Sequence, residues 1–318
     1  MSGKLKRFSN ENKQLLIMIG VIAGMFIILS LTVNNFCTVR NLTNLLQQIA
    51  PIAIMSAGAT YVLVIGGMDI SNPAVMAASA VVGVYYMTTL GGNLVVGAFV
   101  IILTASLLGL INGFAIAKLK MVPMVVTLSM MTVGTGLATI LSGTRGLPTL
   151  PASFSDFLNK YTVIVILLAV IIVFDFILTR TKFGRMLYYI GNNSKTARIS
   201  GIDSENITML TYTISGFCAG IAGVINTASI ATARANMGPQ SQILDIISAA
   251  VIGGVSPNGG SGRVRDAALG AILIVGLTNV MNLLGVSDYY TTMIKGAIVI
   301  GAMGIASFRV HMAAKKGA

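Results

Sequence analysis

The chain has 318 residues, of which 55% are hydrophobic and only 9% charged, and its mean hydropathy is +0.87. Soluble domains carry about 25% charged residues, so a chain this long with so few cannot cover a globular surface, which excludes a soluble enzyme. Lys and Arg number 21 against 9 Asp and Glu, a net charge of +12, and the placement of those charges decides between a nucleic-acid footprint and a membrane topology signal.

A helix needs about 20 mostly apolar residues to cross a bilayer. Residues 15–33 carry no charge. No small-residue cleavage site follows them, so they read as an uncleaved first span rather than a signal peptide. Further charge-poor stretches lie at 45–66, 74–90, 94–117, 122–142, 161–178, 209–231, 243–256, 267–284 and 289–308, which makes ten spans. Residues 70–117 hold no charge over 48 positions, twice what one helix needs, and Gly91-Gly92-Asn93 is the turn that divides them. The stretch 243–256 is short and ends in Gly253-Gly254, which predicts a broken or tilted span. Cys37 falls near one span end and Cys218 inside another, so the two read as apolar thiols rather than a disulfide.

Cytoplasmic loops collect Lys and Arg. With ten spans both termini share a side, and that side holds sixteen basic residues against four (Arg40, Arg145, Lys160 and Arg234) on the other. The expectation is a multi-pass bacterial inner-membrane protein with both termini cytoplasmic. The positive charge is then a topology signal, and no nucleic-acid partner is implied.

A shift of 170 residues aligns related segments without a gap: Ala77–Val84 falls on Ile247–Gly254, Leu107 on Leu277, Asn112 on Asn282 and Gly134 on Gly304. Spans 2–5 then recur as spans 7–10, displaced by five. An odd displacement reverses direction in the membrane, so the predicted fold is an all-α polytopic membrane protein with an inverted internal repeat. Residues 45–142 form the first half and 209–308 the second, within one transmembrane domain.

Catalytic groups are scarce. The single His, His311, lies in a basic tail. There is no HExxH, no paired Cys ligands, no GxSxG and no GxxxxGK[ST], so metal, thiol, serine and nucleotide-cradling chemistries all lack their parts. No enzyme activity and no cofactor are implied, and any ATP must be hydrolysed on a separate chain. Ion-coupled transporters keep acidic groups in mid-membrane. Here Asp69 ends a span, Asp245 starts one, and Asp175 sits near Arg180 at an interface. Amides dominate the polar residues of the spans. Gln47, Gln48, Asn112, Asn226, Asn279 and Asn282, with Asp69 and Asp245, are the candidate translocation-pathway residues, because amides suit neutral, hydroxyl-rich solutes. Hydrogen bonding between packed helices is the competing role for each amide. Lys295 is expected to snorkel toward the outer interface.

The longest basic loop, 179–208, contains apolar and polar helical segments outside the bilayer. Gly184 and Gly191 bracket one, and Ser194–Ser200 forms a second that stops at Gly201. Together they read as a docking surface for another protein. In this loop Gly184, Arg185, Tyr188, Ile190, Gly191, Asn193, Ala197, Arg198, Ser200, Gly201 and Ile202 match a segment similar to GRxxYAIGGNxEAARLSGI. Gly66-Gly67-Met68-Asp69-Ile70-Ser71-Asn72-Pro73 is close to GGIDLSVG, and Gly253 through Arg263 completes GGxSxxGGxGR.

With these three motifs in order, the chain resembles the integral-membrane permeases of bacterial ABC sugar importers of the ribose type, from about residue 41 to 308. The resemblance implies a permease for a pentose or hexose such as ribose. It implies partnership with cytoplasmic ATP-binding subunits, a second permease copy and a periplasmic or lipid-anchored sugar-binding protein. It also implies a coupling role for Gly184, Arg185, Gly191, Asn193, Ala197, Arg198 and Gly201, with Ala197 and Ile199 on the face that meets the ATPase. Three positions depart from the family pattern: Lys195 replaces a Glu, Ile243 replaces the Glu before Leu244-Asp245, and Asn72-Pro73 replaces Val-Gly. A nucleoside, a signalling furanose or a branched-chain amino acid is an alternative cargo. An ion-coupled secondary transporter and a membrane-embedded enzyme are the rivals from other classes.

Overall fold

The computed structural model describes residues 13–143, 146–239, 241–298, 300–301 and 304. His311, Arg145 and both termini lie outside the described residues, as does most of the chain past 301. Among the described residues the chain is helical and contains no strand. The elements are α1 (Lys13–Thr32), α2 (Val39–Val64), α3 (Asn72–Thr88), α4 (Leu94–Ala117), α5 (Pro123–Ser142), α6 (Ala152–Phe157) and α7 (Lys160–Arg180). They continue as α8 (Lys182–Asn192), α9 (Ser194–Ile199), α10 (Ser204–Ile230), α11 (Ser241–Ile252) and α12 (Val264–Leu283), and α13 occupies 288–298.

Seven of these helices are long and apolar enough to cross a membrane. They are α1, α2, α4, α5, α7, α10 and α12. The chain is a multi-pass membrane protein. Of the other three predicted spans, α3 has 17 residues and α11 only 12, and α11 stops at Ile252, just before Gly253-Gly254. The turn at Gly91-Gly92-Asn93 is present: Gly91 takes φ +67°, and the Asn93 side chain accepts from Val95 N at 2.8 Å to start α4.

α2 is the axis of the molecule. Its side chains are buried almost without interruption from Ile49 to Val64, and α7, α8, α10, α11 and α12 pack around it. Hydrophobic stripes (period 3.6) cannot explain such a helix. From Ile49 to Val64 it is apolar on nearly every face because protein surrounds it. The outer helices differ: α1, α4, α5 and α7 expose long apolar faces such as Phe99, Leu103 and Ile172, as lipid contact requires.

Small residues bring the inner helices close. A Cβ on Gly109 of α4 would lie 2.4 Å from Tyr212 O of α10, and one on Gly216 would lie 2.3 Å from Ala105 O. Without a hydrophobic drive between helices in lipid, such backbone approach supplies the packing energy. The other large pairs are α2 with α10 and α12, α3 with α4 and α5, and α11 with α12.

Candidate functional site

A cavity of about 650 Å³ opens between five helices at the end where α2 begins. α2 contributes Asn44, Gln47, Gln48 and Pro51, spaced i, i+3, i+4, i+7, and so on one face. α13 contributes Asp288, Thr291, Thr292 and Lys295 with the same spacing. Asn226 and Ser229 come from the end of α10, Ser241, Gln242 and Asp245 from the start of α11, and Thr278 from α12. Pro51 has no N–H, so the carbonyl of Gln47 loses its intrahelical donor at the cavity wall.

Lys295 does not snorkel outward. It is buried, and its Nζ lies 2.9 Å from Oδ1 and 3.1 Å from Oδ2 of Asp245. The carboxylate in the first turns of α11 offers the ammonium a partner inside the protein.

Asp69 plays a different part. The chain breaks after α2, where Gly66 takes φ +76°, and the Asp69 carboxylate is buried with four donors around it. Oδ1 accepts from Ser71 N (3.0 Å) and Ser71 Oγ (2.6 Å). Oδ2 accepts from Ser215 Oγ (2.8 Å) and Asn72 Nδ2 (3.2 Å). Asn112 Nδ2 donates to Ser71 Oγ at 2.9 Å, which draws α4 into the same network. Ser215 is about 17 Å along α10 at 1.5 Å per residue, so the carboxylate sits well inside the bundle. Asp69 and Asn112 line no part of the cavity.

At the opposite end of α2 the three sequence motifs meet. Gly191, within α8, lies against the end of α2, where a Cβ would come 1.8 Å from Val64 O and 2.5 Å from Gly260 N. Gly260 N donates to Val64 O at 2.9 Å, and a Cβ on Gly259 would lie 2.9 Å from Gly191 O and 3.0 Å from Gly66 N. Tyr188 OH donates to Gly262 O at 2.6 Å, and burial, aided by the nearby Asp175 charge, pushes its phenol up to about 12, so it stays a donor. Asp175 Oδ1 accepts from Arg265 N at 3.1 Å, placing a negative charge on the first turn of α12.

The candidate residues therefore divide. Gln47, Gln48, Asn226 and Asp245 gather at the cavity. Asn279 instead exchanges amide hydrogen bonds with Asn41 (2.8 and 3.0 Å) and ties α12 to α2, while Asn282 is exposed and outside the cavity. In the loop, Asn193 caps α9 by accepting from Thr196 N at 3.0 Å, and Gly201 takes φ +81° beyond its end. Gly184 and Gly191 pack inward, whereas Arg185 and Arg198 are exposed. Ala197 and Ile199 do not share a face, because Ala197 is 3% exposed and Ile199 88%. Sequence reasoning missed Asn44, Thr278, Asp288, Thr291, Thr292 and the inward course of Lys295. The i, i+3, i+4, i+7 polar stripes at 44–51 and 288–295 were the available signal.

Residues 41–303, which contain all three motifs, match the family model described as branched-chain amino acid transport system / permease component. The chain belongs to this family. This permease is 33% identical over 295 residues to the ribose import permease protein RbsC of Bacillus subtilis (strain 168), covering 90% of this chain and 91% of that one. It is 30% identical over 296 residues to the D-allose transport system permease protein AlsC of Escherichia coli (strain K12), covering 87% and 86%. It is 32% identical over 271 residues to the galactofuranose transporter permease protein YtfT of the same strain, covering 84% and 79%. No solved structure matches this permease.

Proposed function

We propose that the chain is the membrane permease subunit of a binding-protein-dependent ABC importer that carries a monosaccharide across the bacterial inner membrane, driven by ATP hydrolysis on separate subunits. One observation carries this reading. A cavity walled by amides and hydroxyls lies at one end of α2, and the junction of the three motifs lies at the other. At 26 residues, α2 is about 39 Å long, enough to connect the two across a bilayer. The permeases similar to this chain are named for ribose, allose and galactofuranose, which supports a sugar over the other cargoes. Within that class a pentose or hexose such as ribose is the proposed solute.

An ion-coupled mechanism needs a carboxylate free to bind and release its ion. Asp69 holds four hydrogen bonds and Asp245 holds Lys295, so neither is poised for that role.

The proposed topology is ten spans with both termini cytoplasmic and inverted halves. The packing supports the repeat: α4 begins at Leu94 and α12 at Val264, 170 residues apart. The same shift exchanges the packed pair α2–α12 with α10–α4, and α3–α4 with α11–α12. α8 and α9 form the proposed coupling surface for the ATP-binding subunit, with Arg185, Arg198 and Ile199 facing outward and Gly184, Gly191, Asn193, Ala197 and Gly201 holding its shape. A second permease copy and a sugar-binding protein complete the proposed assembly.

Co-expression with the ATP-binding subunit and binding protein tests the reading. Uptake of ribose or allose should stop on ATP depletion and persist with an uncoupler when ATP is maintained. Ile199→Glu should abolish uptake and ATPase co-purification without lowering the melting temperature. Uptake abolished by the uncoupler alone would reject the ATP-driven mechanism.

A further inference from the structure

The cavity holds one feature beyond what a neutral solute needs. Among the described residues, Lys295 is the only Lys or Arg that lines it, and both oxygens of Asp245 hold its ammonium (2.9 and 3.1 Å). The pair is buried, with Lys295 at 7% and Asp245 at 9% exposure. Asp288 stands two turns before Lys295 on α13, exposed at the rim. Two carboxylates and one ammonium thus give the lining a net negative charge. The remaining polar wall is amide and hydroxyl.

We propose that the Lys295–Asp245 pair is a charge filter, admitting uncharged polyhydroxy solutes to the cavity and turning away anionic ones such as sugar acids and sugar phosphates. The inference rests on reading the cavity as part of the solute pathway. An entering anion finds no available cation. To claim Lys295 it must strip the ammonium from Asp245 and leave a buried carboxylate without its partner, a costly state. A neutral polyol hydrogen-bonds to Gln47, Gln48 and Asn226 and leaves the pair intact. The pair also ties α11 to α13, so the filter is held in place by two walls of the cavity.

Charged thiol reagents read the filter directly. Thr278→Cys places a thiol on the cavity wall in purified permease whose Cys37 and Cys218 are replaced by Ser and Ala. Its reaction rates with sulfonatoethyl and trimethylammonioethyl methanethiosulfonate are compared. The cationic reagent should react faster when the pair is intact. Asp245→Asn frees the ammonium and should raise the anionic rate roughly tenfold, the effect of one unit charge about 10 Å away at an effective dielectric near 20. Lys295→Gln should lower the anionic rate, and the double variant Asp245→Asn/Lys295→Gln, which removes both charges, should return it to the starting value.

If a single variant fails to accumulate, the double variant and the remaining single variant still test the order. An anionic rate that is the same in every recovered background overturns the filter. Uptake of neutral sugars is measured in parallel. Failed uptake with an intact charge order rejects the transport reading, and with it the filter's role in solute entry, while the charge effect of the pair stands. Sugar uptake with a flat order rejects the filter alone.

Discussion

At the scale of single residues, the amides are where the two roles separate. Asn41 and Asn279 are buried and satisfy each other. Removing one leaves the other without its partner, whereas removing both leaves only the Phe36 carbonyl, to which Asn41 Nδ2 also donates at 2.9 Å, without its donor. Asn41→Ala should therefore cost about 1–3 kcal/mol, and Asn41→Ala/Asn279→Ala less than the sum of the two single changes. Melting temperatures of the detergent-solubilised protein check this, and strictly additive losses would show that the pair is not coupled. Asp69 makes a sharper case, because four donors converge on its two carboxyl oxygens. Asp69→Asn turns one acceptor into a donor facing Ser71 or Ser215 hydroxyls, and should destabilise by about 1–3 kcal/mol. Ser215→Ala, which removes one donor of the four, should cost less. A larger loss for Ser215→Ala would reverse the assignment of the carboxylate as the centre of the network.

At the scale of elements, the two loop glycines that look alike in sequence have different requirements. Gly201 takes φ +81° with open space around its Cβ position, so Gly201→Ala meets only backbone strain, about 1–2 kcal/mol. Gly191 is helical, but a Cβ there would meet Val64 O at 1.8 Å and Gly260 N at 2.5 Å. Gly191→Ala must push α8 off both α2 and the 253–263 loop, at about 3 kcal/mol or more. Thermal unfolding of the two variants should rank them in that order, and equal losses would reject the close packing of α8. The sequence places a glycine at 191, where it reads as the end of a helical segment. The reason for the glycine lies in Val64 and Gly260, which no local pattern connects to it. The helices themselves were legible, because charge-poor runs and Asn93 and Gly91 mark their ends without tertiary help. The Asp69 network and the Lys295–Asp245 pair were not. Each joins side chains 50 or more positions apart, and a Lys near a span end reads as snorkelling until its partner's position is known.

At the scale of the whole molecule, the charge bias and the two functional ends make one testable statement. The junction of motifs adjoins the basic loops, including Lys182, Arg185, Lys195 and Arg198, while the cavity lies at the opposite end, where α2 and α11 begin and α10 ends. Lys118 and Lys120 join the basic end by pairing with Glu205 at 3.2 and 2.5 Å, linking the end of α4 to the start of α10. Exposed pairs of this kind add little stability, and these two lie at the end that the proposed topology places in the cytoplasm. An importer needs its cavity reachable from the delivery side and its coupling surface on the ATP side. The proposed coupling surface and the proposed topology therefore have to agree, and both place the basic end inside. Thr149, in the segment before α6, and Lys195, in α9, are both exposed, at opposite ends of the bundle. In a protein whose Cys37 and Cys218 are replaced, Thr149→Cys should react with an impermeant maleimide added to intact cells, and Lys195→Cys should react only after the membrane is opened. Labelling of position 195 from outside would invert the molecule, put α8 and α9 beyond the reach of any cytoplasmic ATPase, and remove the coupling role proposed for them.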